Sequence, residues 1–248
     1  MQDHWLSRER LLIGEDGIKQ LANSTVCVLG LGGVGGSAAE ALCRAGIGHL
    51  ILVDHDTVDV TNLNRQLFAT RQTIGQRKID AAMDRLRSIN PSVTLTLLDT
   101  FYLPENREEV FSHTPDFMID AIDTVTAKLD LAEQCAERGI PLISCLGTGN
   151  RFDPSKLTIG KIEDTAGCGC PLARVIRREC KKRDIHQLPV VFSKEYPTQG
   201  ICSEDSPSGR HSPGSISFVP PVAGYLLASY AVRFLLSSLD QSKGSLME

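Results

Sequence analysis

Several familiar signals are missing from this 248-residue chain, and each absence removes a class of protein. Met1 to Arg10 has no apolar core, so it reads neither as a signal peptide nor as a transit peptide. No apolar run is of clear bilayer length. The longest, Val222 to Leu236, contains Arg233 and predicts a buried or interface helix, with peripheral contact to a membrane surface as the lesser reading. There is no excess of positive charge: the formal net charge is -4, so any contact with nucleic acid must be local. No segment repeats. Eight cysteines without an export signal predict reduced thiols and a cytoplasmic location. What is present, 42% hydrophobic and 23% charged residues, is the composition of a soluble chain able to bury a core.

Short apolar runs alternate with helical patterns through the first 150 residues. Strands are expected at Thr25 to Gly30, His49 to Val53, Val93 to Leu98, Asp116 to Ile122 and Pro141 to Leu146. Helices are expected at Val34 to Ala45, Ile74 to Ile89 and Thr126 to Arg138; in the second, Ile74, Ile79, Ala82, Met83, Leu86 and Ile89 share one face. This alternation predicts an α/β fold, a Rossmann-like doubly wound and mainly parallel sheet covered on both faces. The pattern changes after Gly149. A strand at Leu157 to Ile162, a basic helix at Pro171 to Arg183, a mobile loop from Pro197 to Gly214, a strand at Ser215 to Val219 and the apolar helix form a C-terminal extension of mixed strands and helices.

Gly30-Leu-Gly32-Gly33-Val-Gly35-Gly36 lies between a strand and a helix, where bare backbone can approach a nucleotide and the helix N-terminus favours anions. Asp54 ends the second strand, placed to accept from ribose hydroxyls. These features do not separate NAD from ATP, and tight strand–helix packing alone also uses glycine. The next stretch separates them. Asp54-His-Asp56 is followed by Asn62-Leu-Asn64-Arg65-Gln66 and Lys78, a polar and cationic group that a triphosphate needs and a dinucleotide reader does not. Arg65 suits phosphate oxygens, Lys78 supplies a point charge, and Asn62 and Asn64 suit ribose or phosphate. Asp123, at the end of the strand from Asp116, can hold Mg²⁺ against phosphates or, alternatively, cap the helix that follows.

Gly30-x-Gly-Gly-x-Gly, Asp54-x-Asp, Asn62-x-Asn-Arg-Gln, Lys78 and Asp123 resemble the ubiquitin-activating-enzyme-like adenylating superfamily across roughly Arg8 to Gly147. The resemblance implies a homodimer that uses ATP and Mg²⁺ to form acyl adenylates with release of pyrophosphate. It assigns Asp54 to ribose, Arg65 and Lys78 to phosphates, and Asp123 to the metal. It also implies an arginine reaching in from the partner subunit; Arg8 is the best match and Arg10 stays open. Residues 1–150 are then the ATP-binding core with an N-terminal arm. Residues 151–248 face the substrate and support the dimer within the same folded unit.

Sulfur-carrier activators of this superfamily hold zinc with paired Cys-x-x-Cys motifs. The chain has none. Cys168-Gly-Cys170 is one residue short, so no zinc is expected, although a set of Cys168, Cys170, Cys180 and Cys202 is conceivable. The second half instead resembles the tRNA threonylcarbamoyladenosine dehydratases, in Pro171-Leu-Ala-Arg-Val-Ile-Arg-Arg, Val191-Phe-Ser-Lys-Glu195 and Gly214 to Gly224. That resemblance implies ATP-driven cyclisation of threonylcarbamoyladenosine in tRNA. Between Ala173 and Asp184, Arg174, Arg177, Arg178, Lys181, Lys182 and Arg183 face only Glu179 and Asp184, which suits an RNA backbone or an ordinary solvated helix face. Adenylation of a ubiquitin-like sulfur carrier is the alternative function, and a nucleotide-binding oxidoreductase the remoter one. Cys202 is a candidate for sulfur or thioester chemistry, with an incidental role as the plainer reading. The family is also linked to cysteine-desulfurase partners, for which no residue here speaks.

Overall fold

The computed structural model describes residues 4–198 and 213–243. Its elements run in the order α1 (Ser7–Ala22), β1 (Thr25–Leu29), α2 (Gly35–Arg44), β2 (His49–Val53), α3 (Lys78–Ile89), β3 (Thr94–Leu98), α4 (Glu108–Phe111), β4 (Phe117–Asp120), α5 (Val125–Arg138), β5 (Leu142–Cys145), β6 (Leu157–Lys161), α6 (Pro171–Lys182), β7 (Pro189–Ser193) and α7 (Val219–Lys243). The seven strands form one sheet in the order β3-β2-β1-β4-β5-β7-β6. All pairings are parallel except β6 with β7. The expected α/β, doubly wound and mainly parallel fold is what the chain adopts.

Period-two alternation distributes the strand side chains between two cores. Val26, Val28, Leu50, Leu52, Phe117 and Ile119 face α2, α3 and α7. Cys27, Leu29, Ile51, Val53 and Met118 face α5 and α6. The strand order reverses between β1 and its neighbours β2 and β4, which opens a crevice at the carboxyl ends of those strands.

Two expectations need correction. No strand forms at Ser215 to Val219: α7 begins at Val219, and Pro220 and Pro221, preset for a first helical turn, commit the chain to helix. The helix expected from Ile74 starts only at Lys78, because Gly75 (φ 85°) and a bridge between Thr57 and Arg77 hold the preceding residues in a turn; Ile74 is exposed. Two elements were not anticipated, α1 and β7. The apolar stretch near the C-terminus is a helix packed on the core, as its pattern implies, and the lesser reading of membrane-surface contact gains no support. Although Val219–Ser237 has the length and composition to span a bilayer, α7 packs Ala223, Leu227, Ala228 and Ala231 into the core and sets its aromatic Phe234 edge-on to Phe117 at 5.4 Å. A Cβ at Gly224 would meet the carbonyl oxygen of Val34, the N-cap of α2, at 2.3 Å, so the two helices cross closely there. Packing accounts for the inward face of this helix, while Tyr225 and Phe234 are exposed. Most of the loop expected from Pro197 to Gly214 lies outside the described residues.

Candidate nucleotide site

The crevice at the carboxyl ends of β1, β2 and β4 holds a cavity of about 530 Å³. The glycine loop forms its floor. Gly30 turns the chain with φ 85°, and a Cβ at Gly35 would lie 1.7 Å from the Gly30 carbonyl oxygen, so only glycine lets α2 start this close to β1. Of the glycines singled out in the sequence, Gly30, Gly32 and Gly33 line the cavity and Gly35 sits behind it.

Asp54 is buried and wired into the loop it faces. One carboxylate oxygen accepts from the Leu31 N–H at 2.6 Å and the other from the Asp56 N–H at 2.8 Å. Lys78, at the N-terminus of α3, is also buried; its Nζ donates to Asp56 at 2.6 Å and lies 3.9 Å from Asp54. Arg65 donates to the Thr61 carbonyl oxygen at 2.8 Å and to the Asn64 side-chain oxygen at 3.0 Å. Asp56, Asn62, Arg65, Gln66, Lys78 and Asp123 all line the cavity. Asn64 does not: its amide donates to the Ser215 carbonyl oxygen at 3.0 Å, tying this segment to the approach of α7. Arg8 also lies outside the cavity, exposed on α1, while Arg10 lies 2.8 Å from Glu15.

Asp123 is exposed to the cavity on the loop after β4. The N-cap of α5 is Thr124, and no side chain caps that helix, so helix capping does not explain this carboxylate. A divalent cation has two candidate sets here. Asp54, His55 and Asp56 bring ligand atoms within 4.8 Å of one another. Both Asp54 oxygens and one of Asp56, however, already accept from protein donors, whereas Asp123 accepts from none among the described residues.

Three features escaped the sequence analysis. The segment Thr100-Phe101-Tyr102, after β3, closes one side of the cavity, with the Phe101 and His55 rings edge to face at 4.7 Å. Burial, reinforced by donation from its hydroxyl to Asp130 at 2.7 Å, drives the Tyr102 pKa up, so the phenol stays neutral. Asp59, also on the rim, is held below the usual carboxylate range by the Thr61 hydroxyl and N–H. Behind Asp123, a buried Lys128 Nζ bridges Asp120 (2.9 Å), the Ser144 hydroxyl (3.1 Å) and the Cys145 carbonyl oxygen (2.7 Å), clamping the ends of β4 and β5 together. The position of Thr100 to Tyr102 at a strand's carboxyl end was the available signal. The Lys128 clamp gave none, because a lysine in a helix reads as surface.

Cys168, Cys170 and Cys180 are buried on or before α6, and no zinc-like group of cysteines occurs among the described residues; Cys202 lies outside them. Burial pushes the Cys145 thiol up to about 12 and the Cys180 thiol up to about 11.

Residues 6–248 match the ThiF family. The chain belongs to that family. The tRNA threonylcarbamoyladenosine dehydratase of Bacillus subtilis is 41% identical to this ThiF-family chain, covering 96% of each. The Escherichia coli tRNA N6-threonylcarbamoyladenosine dehydratase, solved in complex with AMP, superposes with a TM-score of 0.84 at 31% identity over 94% of each chain. The same protein has been solved with ATP. The E. coli molybdopterin-synthase adenylyltransferase is 33% identical but covers only 64% of this chain and 63% of its own length.

Proposed function

We propose that this ThiF-family protein uses ATP to cyclise threonylcarbamoyladenosine in tRNA. The observation that carries the reading is similarity to dehydratases along almost the whole chain, second half included, where similarity to a sulfur-carrier activator covers much less of it. In this reading residues 1–150 hold ATP and residues 151–248 face the RNA. A carboxylate oxygen of the threonine moiety attacks the α-phosphorus as the bond to the β-phosphate breaks, and pyrophosphate leaves. A nitrogen of the same substituent then forms a bond to the activated carbonyl carbon. AMP departs with the former carboxylate oxygen, and the nitrogen's proton passes to solvent. Closure is intramolecular, so positioning rather than a protein nucleophile accelerates it.

The cavity's residues divide this work. Asp54 holds the glycine loop through Leu31 and offers its remaining lone pairs to ribose. Lys78 exchanges Asp56 for phosphate oxygens, Arg65 and Asn62 bind them from the rim, and Gln66 lies beside Gly32. Asp123 holds Mg²⁺, which supplies charge neutralisation to the triphosphate when bound.

Arg8 points to a homodimer. It lies outside its own cavity on a helix whose Leu11 and Leu12 are 86% and 85% exposed, an apolar surface suited to a second copy. The location that goes with this reading is cytoplasmic, and a cysteine-desulfurase partner has no support in these residues. The RNA face is α6. Arg178 and Lys182 share Glu179, Arg183 pairs with Glu133 and Arg177 donates to Thr165, but Arg174 and Lys181 have no partner among the described residues. Both line a second cavity of about 490 Å³ with Glu163 and His186.

The test is mass spectrometry of nucleosides from threonylcarbamoylated tRNA incubated with the protein, with and without ATP. The expected result is ATP-dependent loss of one water from the modified nucleoside. Pyrophosphate exchange that depends on a small protein ending in Gly-Gly, with the tRNA untouched, would replace this reading with sulfur-carrier activation.

A further inference from the structure

Arg151 stands in the loop that follows β5, and it is 4% exposed. Nη2 donates to the Cys168 carbonyl oxygen at 3.2 Å, while the buried Nε and Nη1 have no partner among the described residues. No carboxylate among the described residues pairs with it. Glu195, on the neighbouring segment after β7, spends its oxygens on the N–H groups of Phe152 (3.0 Å) and Asp153 (2.9 Å). A buried cation left this way is costly, and buried polar groups are otherwise nearly always satisfied.

A second feature converges on the same place. Cys168 precedes Cys170, the N-cap of the 12-residue α6, whose sulfur accepts from the Ala173 N–H at 3.5 Å. The first turn of α6 carries no acidic residue, so nothing there offsets the positive end of the helix. A Cβ at Gly147 would lie 3.0 Å from the Cys170 sulfur, which sets this helix start against the carboxyl end of β5. β5 in turn is paired in register with β4, Asp120 opposite Ser144, so its trailing loop leaves the sheet beside the loop that carries Asp123.

We propose that Arg151 and the start of α6 form an oxyanion subsite for the RNA substrate. It takes either the free carboxylate of the threonine moiety or a backbone phosphate beside the modified nucleotide. This rests on the reading of the substrate given above. Both free donors are buried, and a group carried by an RNA already held on α6 reaches them at a higher effective concentration than a free anion does.

The full-length protein is compared with Arg151→Met and Arg151→Lys by fluorescence anisotropy on two anticodon stem-loops, one carrying threonylcarbamoyladenosine and one carrying adenosine. Arg151→Met should weaken binding of the modified stem-loop about tenfold, with Arg151→Lys in between. If the ligand is the carboxylate, the unmodified stem-loop binds Arg151→Met as it binds wild type. If it is a phosphate, both stem-loops lose affinity by the same factor. Thermal unfolding supplies the readout that a structural role would move: Arg151→Met should melt no lower than wild type, since it removes an unpaired buried charge. Unchanged affinity for both stem-loops overturns the proposal. So does a melting temperature lowered by several degrees in both variants, which would make the bond to Cys168 the reason for the arginine. Wild-type protein that binds the modified stem-loop but never converts it with ATP would refute the proposed reaction and leave the binding comparison to stand or fall by itself.

Discussion

The two ends of the carboxyl edge treat charge differently. Around the β1–β4 crevice, ionic groups have met partners before any ligand arrives: Lys78 with Asp56, Asp54 with two backbone N–H groups, and Lys128 with Asp120. On the β5–β7 side, Arg151 is buried without a counter-ion among the described residues, and Arg174 and Lys181 along α6 likewise have no partner among them. A nucleotide of fixed shape can be met by a preorganised site, in which reorganisation is small and donors already point inward. A large polyanion brings its own charges and tolerates side chains that stay free until it docks. The exception on the crevice side is Asp123, a carboxylate without a partner among the described residues, and the proposed metal position rests on it.

Asp123 therefore gives the sharpest test of the comparison. Asp123→Ala should lower Mg²⁺-dependent turnover by about 10²-fold or more. Its stability should stay within about 0.5 kcal/mol of wild type, because no cap or ion pair is lost. Turnover that survives at saturating Mg²⁺ would move the metal to the Asp54–His55–Asp56 group. A comparable loss should follow Arg8→Ala or Lys78→Ala in homogeneous dimers. Mixed Arg8→Ala and Lys78→Ala subunits should then recover about a quarter of wild-type activity. Half of the dimers are mixed, and each mixed dimer keeps one of two composite sites. No recovery in subunits shown to exchange would return Arg8 to its own subunit or remove it from the site.

Those crevice residues were readable because their spacing is local: a glycine loop between strand and helix, an acid at a strand end, a polar run beyond it. The sheet was legible for the same reason, since parallel strands buried on both faces are continuous apolar runs. What escaped was decided by tertiary contact. The apolar residues of α1 that carry a helical pattern, Leu11 and Leu12, face outward, and only Gly17, Ile18 and Leu21 are buried, so the helix has little inward stripe to read. β7 is a five-residue run that opens on a proline and follows a polar stretch. The alternating Ser215 to Val219 looked like a strand, yet the two prolines that follow decide in favour of helix. Asn64 looked like a ligand residue because its neighbours are; its amide instead reaches a backbone carbonyl far along the chain. The unpaired state of Arg151 could not be read at all, because it depends on what fails to surround it.

On α6 the comparison predicts unequal lysines and arginines. Arg174→Gln and Lys181→Gln should each reduce the log–log salt slope of tRNA binding by about one unit, as each free cation gives up one phosphate contact. Lys182→Gln should do less, because Lys182 already shares Glu179 with Arg178. ATP affinity should not move in any of the three, since none lines the nucleotide cavity. Equal slopes in all three variants and wild type would make α6 a solvated face and place the RNA elsewhere.

The smallest effect belongs to a pair that should matter only to stability. Glu40 on α2 accepts from Arg85 on α3 at 2.9 Å and from Arg44 at 2.8 Å, and it is buried. Burial works to raise its pKa, but hydrogen bonds and charge from Arg85 and Arg44 outweigh that, so the carboxyl sits below its ordinary value. A carboxyl depressed in the folded state contributes stability above its unfolded pKa of about 4.3. That contribution fades as pH falls through the folded value and is gone below both. Glu40→Gln should therefore be less stable than wild type by up to about 1 kcal/mol at pH 7, the scale of a partly screened ion pair. The gap should narrow as unfolding in urea is repeated at pH values below the ordinary carboxylate range, while nucleotide affinity at pH 7 stays level. Removing charge here should cost stability, whereas removing it at Arg151 should not. A Glu40→Gln protein as stable as wild type at pH 7 would show that this ion cluster between α2 and α3, the helices that start at the crevice, adds nothing to stability.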